Sequence, residues 1–485
     1  MQGRCLSGRS VTSARSRVHD GKRVASVSAL AHVERIVVVF VCFPFANRQK
    51  SEIKKLWPHH PPVAENQETS SFCFLFDTTN KTKLMTTICS IFGKKYDLRG
   101  FYHPGGARAL EEVSLVPDAG NLVRSQHAHN WPTIVSKLKR YELDDSVSQH
   151  EGDKCDFDSL RAATKTVFTL LKANKRMSPM RLAIWMLLLA ASVSLNVASL
   201  WTLNSFLIFA AGISYAVINA KILHEASHLS LGISPGLSTL FGMLACPPIM
   251  SFSVWRKRHI RSHHLYTNAL ATSAPADNFD IDVTAFDTAA YLPVWLRRIV
   301  LIPSILIAYV FSSSSIGPCG TLQHMLSRDT PRIERLECFA SLSILYAYYS
   351  CGRTLHGVYG VLYWMAVFFG TSGFYFGFVS QLSHVPAMVL RWRPTEPDIN
   401  RDGWLRHQIE HSLNYAVGSS LHDVLSFGLN TQIEHHLFPG VTSHQLHKFA
   451  PAVRRWSADR GIIYTCYDGI LGASAALFAA LRAWE

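Results

Sequence analysis

The chain lacks the cysteine pairs on which small disulfide-bonded or thiolate-zinc folds depend. Its ten cysteines are scattered, and none forms a C-x-x-C pair. This spacing is typical of a chain that faces a reducing, cytosolic setting. The chain also lacks a basic stripe interleaved with aromatic residues, so its net charge of +14 does not indicate a nucleic-acid partner. Basic residues that flank membrane spans and meet anionic lipid headgroups account for that charge.

Long apolar runs indicate a polytopic membrane protein. The sequence is almost continuously apolar over 177–223 and again over 338–383, which is too long for ordinary core helices. We predict about four transmembrane helices, the first two near 181–201 and 205–223. The later candidates are 299–313, 338–350 and 357–380. Of these, 299–313 is the weakest, and one candidate is expected to be re-entrant or interfacial.

The regions around these spans differ in composition. Residues 1–84 form an extension rich in Arg and Ser that is transit-like or foreign to the mature protein, with Met85 as an alternative start. Residues 85–143 are expected to form a small domain, and 144–178 an acidic linker followed by a helix suited to the membrane surface. The main membrane domain is placed at 179–465, and a peripheral amphipathic tail at 466–485.

Three short stretches place histidines at tight helical spacing. They are "HEASH" at 224–228, "HIRSHH" at 259–264 and "QIEHH" at 432–436. Side chains four residues apart share one helix face, and neutral imidazole binds iron, zinc, copper and nickel. Seven such imidazoles exceed the needs of one tetrahedral zinc, so we expect two metal ions. These candidate ligands are His224, His228, His259, His263, His264, His435 and His436.

Other residues are weighed beside this set. His384 ends the last apolar run, where a polar ring is costly unless it is used, and it is a candidate eighth ligand. Gln432 stands three residues before His435, where a further histidine ligand would stand, and its amide oxygen can face a metal. A zinc protease, suggested by H-E-x-x-H in the first stretch, would leave the other two stretches unexplained.

Residues outside the ligand set receive supporting roles. His407 and His411 are expected to be structural, or to orient ligands. We place His422, His444 and His447 at the surface. Metal-bound histidines usually donate their outer nitrogen to a carboxylate or carbonyl. The candidates for that role are Glu225, Glu434, the acids of 277–282, Asn268 and Asn430.

The three stretches, in this order around membrane spans, resemble the histidine boxes of membrane fatty acid desaturases. With "QLSH" at the last span and "LNTQIEHHLFP", the resemblance covers about 157–465. Gln432 in the third box resembles the front-end subgroup, whose members also carry an N-terminal cytochrome b5 domain. The stretch "GKKYDLRGFYHPGGARAL" at 93–110 contains the H-P-G-G haem signature of that domain.

The haem signature has a physical basis, because Pro104-Gly105-Gly106 makes a tight turn without bulky side chains that a flat cofactor can approach. The resemblance implies His103 as one axial haem ligand and His127 as the other, with His129 as the second choice. The preceding "TNKTKLMTTICSI" departs from the family pattern. Either the domain is abbreviated, or residues 1–84 replace its beginning.

The resemblance implies a mainly α fold, with a cytosolic histidine-rich di-iron cap on the membrane helices and a small α+β cytochrome b5-like domain. It implies a front-end desaturase that uses O2, two non-haem iron ions, haem b and electrons from NADH through a cytochrome b5 reductase. The substrate would be a fatty acyl lipid or acyl-CoA. The setting would be the endoplasmic reticulum membrane with the termini and active site cytosolic, or a plastid if residues 1–84 are a transit peptide.

Three alternatives stay open at this point. The nearest is a sphingolipid long-chain-base desaturase of the same architecture. The second is a membrane fatty acid hydroxylase, against which the Gln432 form of the third box argues. The third is a non-enzymatic metal transporter or receptor, which would place histidines within the spans rather than at their ends.

Overall fold

The computed structural model describes residues 88–143, 154–171, 175–268, 315–328, 330–387 and 403–483, with isolated positions at 293, 295, 296 and 310. Several predictions fall outside the described residues: those on 1–84, on most of the acidic linker and on the acids of 277–282. So does the candidate span 299–313, apart from one residue. The described chain is mainly helical.

The described chain begins with a β-hairpin of β1 (Ile88–Ile91) and β2 (Lys94–Asp97), paired antiparallel. Its two-residue turn has positive φ at both Phe92 (51°) and Gly93 (76°), a turn whose twist matches that of the strands. The Asp118 carboxylate accepts hydrogen bonds from both turn amides, at 3.0 and 2.7 Å. This side chain therefore fixes the turn that leads into the haem signature.

Three helices complete this small α+β unit: α1 (Ala107–Ser114), α2 (Gly120–Gln126) and α3 (Trp131–Leu138). Their apolar residues pack over the hairpin. The same core includes Ile260 and Leu265, from the segment of the second histidine stretch. The N-terminal unit thus shares its hydrophobic core with the membrane domain.

Helix α4 (Lys154–Leu171) follows. Its apolar side, with Phe157 and Leu160, packs in one cluster with Trp404 and Val453. The rings of Phe157 and Trp404 stack with centroids 5.9 Å apart. Protein therefore covers the apolar side of α4, and the placement of this helix at the membrane surface stays a prediction.

Helices α5 (Pro179–Thr202) and α6 (Ser205–Ser227) are long and apolar enough to cross a membrane. Ser178 Oγ caps α5 by accepting from the Arg181 amide, and Leu203, at φ 52°, ends it. Large apolar side chains such as Leu187, 72% exposed, lie on the outside, as expected of a surface covered by lipid. The predicted spans are found here, and α6 extends into the first histidine stretch.

Shorter helices connect this hairpin to the next long one. They are α7 (Pro235–Ala245), α8 (Phe252–Arg256), which continues as a π-helix over Lys257–His263, and α9 (Gly320–Leu326). A second π-helical turn lies within α6 at Tyr215–Asn219. Such turns are rare and cluster at functional sites.

The third membrane-length element is α10 (Arg332–Leu382), which folds back on itself at Gly357. Gly357 has φ 72° and ψ −178°. The rings of Tyr348 and Trp364 stack at 5.7 Å across this point, whereas a straight helix would separate them by about 24 Å. The element is therefore two antiparallel arms, each about half of its 51 residues.

The turns of these hairpins lie together at one end. His356 Nε2, beside the Gly357 turn, lies 2.8 Å from the carbonyl oxygen of Leu200 near the end of α5. At the opposite end, α6 runs into the first histidine stretch and α10 runs towards His384. The fold thereby brings the histidine-bearing ends of the long helices to one side.

The C-terminal part forms a cap at that side. Its elements are α11 (Trp404–Glu410), β3 (Leu413–Tyr415), α12 (Ser420–Leu425), α13 (Gln432–Leu437), α14 (Ser443–Leu446), α15 (Ala450–Ala458), β4 (Thr465–Tyr467) and α16 (Ile470–Ala483). Strands β3 and β4 pair in parallel, with Leu413 opposite Thr465. Helix α16 buries Ala473 and Leu477 while Leu471 is exposed, and its role as an amphipathic tail stays a prediction.

Candidate metal centre

The first histidine stretch lies at the end of α6. Because the helix continues through it, His224 and His228 share one face, with ring centroids 5.1 Å apart. The second stretch lies on the π-helix after α8, where the His264 amide donates to the His259 carbonyl at 3.1 Å, five residues back. The third stretch forms the short helix α13. Three separate elements thus supply the histidines.

One group of side chains draws on all three stretches. Its ligand atoms lie within 4.8 Å of one another and belong to His224, His228, His259 and His435. The Nε2 atoms of His224 and His435 are 3.0 Å apart, and those of His228 and His259 are 2.9 Å apart. All four rings are buried. We call this set the first group.

A second group lies beside the first and consists of His263, His384 and His436, again with ligand atoms within 4.8 Å. The side-chain nitrogen of Gln432 lies 2.9 Å from Nε2 of His384 and 3.1 Å from Nε2 of His436. The structure therefore places both Gln432 and His384, the two candidates outside the seven, against this second group.

Sequence neighbours are divided between the two groups. His435 belongs to the first and the adjacent His436 to the second, and His259 and His263 divide in the same way. His264 lies between the groups: its Nε2 is 3.1 Å from that of His435, and its ring stacks on His436 at 4.6 Å. Each of the last two stretches can therefore serve two metals at once.

The hydrogen bond of the outer ring nitrogen, Nδ1, determines whether the inner nitrogen, Nε2, carries a proton. His384 Nδ1 donates to the His411 carbonyl at 3.1 Å, and His436 Nδ1 donates to Gln408 Oε1 at 2.6 Å. A neutral imidazole carries one proton, so the inner Nε2 atoms are lone pairs facing one another. Converging lone pairs without a proton between them are the donor set of a metal site. These hydrogen bonds fit a metal ion in the second group, and the first group fits one by the convergence of its four buried imidazoles within 4.8 Å.

Burial keeps these rings neutral. Loss of hydration first, and the nearby charge of His264 second, hold the pKa of both His228 and His435 well below the usual range. Metal ligation requires the neutral ring, so the site is ready to bind a cation without first losing protons.

Gln432 has an orphaned atom. Its Oε1 is buried without a hydrogen-bond partner among the described residues, while its amide nitrogen faces two inward lone pairs. Half a turn of the amide exchanges the two ends with no change of shape. The oxygen then points at the second group, where it can serve as a weak ligand.

Three of the predicted supporting residues do not contact a histidine. Glu434 accepts hydrogen bonds from Tyr464 and Asn414 at 2.8 and 2.7 Å, and burial raises its pKa to about 7. Glu225 accepts from Ser230 and Ser443. The Asn430 amide nitrogen donates to a backbone carbonyl. These expectations are wrong because a residue next to a ligand on a helix points to a different side.

Asn268 does reach the site. Its amide nitrogen donates to the carbonyls of His411, at 3.0 Å, and His384, at 3.4 Å. The rings of His407 and His411 stack at 4.1 Å, and His407 Nε2 donates to the Thr267 carbonyl. They lie outside both groups and hold the chain around them, in the structural role expected of them.

Two supporting residues escaped the sequence analysis. Gln408 Oε1 accepts from His436 Nδ1 and from Thr267 Oγ1. Gln126, in the N-terminal unit, places its amide nitrogen 3.4 Å from His228 Nδ1. A signal for Gln408 exists, since "QIEH" occurs twice, at 408–411 and at 432–435. No local pattern marks Gln126.

The histidines placed at the surface are not all exposed. His422, His444 and His447 are each half-buried. His422 Nδ1 lies 2.9 Å from Ser419 Oγ, and His444 Nδ1 lies 3.0 Å from Thr442 Oγ1. These three rings are therefore partly exposed at the surface of the folded cap.

The haem signature presents a second pair of facing rings. His103 and His127 have centroids 5.8 Å apart and planes at 82°. Both rings carry nitrogens of the kind that would hold a haem iron. A Cβ on Gly105 would lie 2.8 Å from the His103 ring, so glycine is needed there. Burial lowers the pKa of His127 to about 4 and keeps that ring neutral.

His129, the second choice, is engaged elsewhere. Its ring stacks on Phe168 with centroids 5.0 Å apart, and its Nε2 lies 3.2 Å from Lys175 Nζ. Of the two candidates, His127 is the one whose ring approaches His103.

Residues 198–468, more than half of the chain, match the model of the family described as Fatty acid desaturase. Among similar proteins is an acyl-lipid (8-3)-desaturase of Physcomitrium patens, 26% identical, with 81% of this chain and 87% of the relative aligned. Delta(5) fatty acid desaturase A of Dictyostelium discoideum is 24% identical over 77% and 85%. An acyl-lipid (7-3)-desaturase of Rebecca salina is 26% identical over the same shares.

Proposed function

The chain belongs to the fatty acid desaturase family, and on that premise we propose how its residues hold metals, receive electrons and face the membrane. The relatives are named acyl-lipid and Delta(5) desaturases. The chain is a membrane-bound front-end fatty acid desaturase, as predicted. It removes two hydrogens from an acyl chain to form a double bond, and O2 is reduced to water with two further electrons from a donor.

We propose that the first group, with His264, and the second group, with Gln432, each hold one non-haem iron ion. The observation that carries this proposal is the convergence of buried imidazoles into two groups whose ligand atoms lie within 4.8 Å of one another. In the second group the outer nitrogens of His436 and His384 are also held by Gln408 and the His411 carbonyl. When bound, the iron pair supplies the oxygen chemistry that side chains cannot. The chain orients the ligands and keeps bulk water away, since most of these rings are nearly fully buried.

The proposed electron donor is a haem b between His103 and His127. The facing rings and the glycine at 105 support this assignment. Gln126 precedes His127 in the chain and its side chain contacts His228, so a short covalent and hydrogen-bonded route joins the two sites. A cytochrome b5 reductase that uses NADH would supply electrons to this haem.

Buried ion pairs support a fixed position for this donor. Glu112 of α1 lies 3.1 Å from the Arg256 guanidinium and 3.2 Å from that of Arg261. Arg108 pairs with Glu337 at the start of α10. Charges this buried are stable only in fixed geometry, so the unit would deliver electrons from one docked position.

We propose four membrane crossings, formed by α5, α6 and the two arms of α10. The reversal at Gly357 supports this number, and it keeps the histidine stretches on one side. NADH and its reductase are cytosolic, so that side would face the cytosol from the endoplasmic reticulum. A plastid setting would apply if residues 1–84 direct the chain there.

The test is expression of the full chain in yeast that is fed polyunsaturated fatty acids. We expect a new cis double bond on the carboxyl side of the existing ones, located by mass spectrometry, and two irons per purified chain. His435→Ala should abolish the product and lower the iron content, while His422→Ala should leave both nearly unchanged. Product formation unaffected by His435→Ala, or a purified chain free of iron, would overturn the assignment. A desaturated sphingoid base alone would favour the sphingolipid alternative.

A further inference from the structure

A polar cavity of about 240 Å³ opens in the cap beside the metal centre. Its walls include Arg181, Thr431, Lys448, Ser420 and Asp423. The cavity is not lined by any histidine of the two metal groups. It is therefore separate from the ligand set, and its role requires its own explanation.

The cavity lies where the membrane meets water, at the metal end of the molecule. Arg181 is in the first turn of α5. The chain just before α5 is hydrogen-bonded to the residues that follow the first histidine stretch, because the Met177 amide donates to the Ser230 carbonyl at 2.9 Å. Thr431, on the wall of this cavity, directly precedes Gln432 in the chain.

The charge of the cavity is positive. Arg181 and Lys448 are exposed and form no ion pair with a carboxylate among the described residues. The acidic side chain on the wall, Asp423, is already paired with the buried Lys221 at 3.1 Å. Lys221 also lies 3.7 Å from Glu225, so it is shared between two carboxylates. With Arg181 and Lys448 the cations still outnumber these two acids, which suits an anion, and arginine in particular suits phosphate.

A buried hydroxyl also points to a missing ligand. Thr431 is 2% exposed, and its Oγ1 has no hydrogen-bond partner among the described residues. Buried polar atoms are rarely left unpaired. The exposed hydroxyl of Ser420 on the cavity wall can donate to an anionic oxygen. Thr431 Oγ1 is shielded from solvent and would add a second donor after a change of rotamer.

We propose that this cavity binds the phosphate ester of the acyl carrier, either the phosphodiester of a phospholipid or the phosphates of coenzyme A. The inference rests on the proposed function. Front-end desaturation acts towards the carboxyl end of the chain, so the carrier must stay close to the metals. A volume of about 240 Å³ suits a headgroup rather than a whole lipid. Arg181 and Lys448 then fix the distance from the carrier to the second group.

The test uses the iron-loaded full chain in detergent micelles and calorimetric titration with two probes. One probe is dihexanoylphosphatidylcholine and the other is coenzyme A. We expect one of them to bind, and Arg181→Gln and Lys448→Gln each to raise its Kd about tenfold, the loss of one charged contact. The matched control is Arg455→Gln, an exposed arginine outside the cavity, which should change the Kd less than twofold. Thr431→Val should weaken binding without the loss of a charge.

The probe that binds identifies the carrier. The steady-state signature is a raised KM for the acyl substrate with an unchanged kcat, because the carrier is held away from the reacting carbons. The proposal is overturned if Arg181→Gln and Lys448→Gln bind the probe with wild-type affinity. It is also overturned if the wild type binds neither probe. The same preparations are assayed for iron and product. If the wild type holds iron and forms product, and the cavity variants bind the probe as tightly as it does, the cavity proposal alone is refuted. If the wild type holds no iron and forms no product, the proposed function is refuted.

Discussion

The side-chain amide of Gln126 lies 3.4 Å from Nδ1 of His228 and joins the N-terminal unit to the first metal group. Gln126 is also the residue before His127. A single position therefore touches one candidate metal ligand through its side chain and one candidate haem ligand through its backbone. This contact joins residues 102 positions apart in the chain.

Gln126→Leu should slow electron transfer from the haem to the metal centre about fivefold, the equivalent of one hydrogen bond of about 1 kcal/mol. Haem and iron contents should stay unchanged. Stopped-flow absorbance would follow reoxidation of the reduced haem after mixing with O2 and substrate. Gln323→Leu, at an exposed position on α9, is the matched control. Equal rates in the two variants would rule out this route.

His127→Ala should abolish the haem Soret band of the purified chain, because one of two axial ligands is lost. His129→Ala should retain the band, since the ring of His129 packs on Phe168 instead. The absorbance spectrum distinguishes them directly. The reverse result, with haem lost only in His129→Ala, would make His129 the ligand.

Gln432→Leu should weaken iron binding in the second group by roughly tenfold, because an orphaned oxygen beside His384 and His436 is removed. Gln432→Glu keeps an oxygen in place and should retain most of the iron. Elemental analysis by mass spectrometry gives iron per chain. Two full irons in Gln432→Leu would show that the amide is not a ligand.

Gln408→Leu should reduce activity by roughly 10- to 100-fold, the usual effect of removing the partner of a metal-bound histidine. The lost contact is the 2.6 Å hydrogen bond from His436 Nδ1, which keeps Nε2 free to bind metal. Gln408→Glu should restore activity, because a carboxylate accepts the same proton. Failure of that rescue, together with normal iron content, would assign Gln408 a packing role only.

Gly357→Ala should destabilise the protein by about 1–3 kcal/mol, the cost of holding a side chain in a backbone region reserved for glycine. An added Cβ there would meet nothing within 4 Å, so strain acts alone. Thermal unfolding in detergent would measure the loss. Gly236→Ala, in α7 with equally open space and no positive φ, should be neutral. If both variants unfold alike, the reversal at Gly357 does not depend on glycine.

Local sequence patterns predict which histidines the structure brings together. The spacing of His224 and His228 follows from an ordinary helix, and the apolar runs located α5, α6 and both arms of α10. The division of the candidate ligands between two groups has no signal in the sequence. His259 and His263 divide on a π-helix, whereas His435 and His436 divide on the short helix α13. The prediction that Glu434 and Glu225 orient the histidines is wrong, because a residue next to a histidine on a helix points to a different side. Gln126 could not be predicted, since its contact depends on the docking of a distant unit.

The shared core of the N-terminal unit has a consequence for how this enzyme can be altered. Ile260 and Leu265, beside the ligands His259 and His264, are packed against the hairpin and helices of residues 88–143. A chain that lacks residues 1–143 would expose these two side chains to water and loosen the histidines between them. The N-terminal unit is therefore not an interchangeable module. A domain borrowed from another protein would have to supply an apolar surface that covers Ile260 and Leu265.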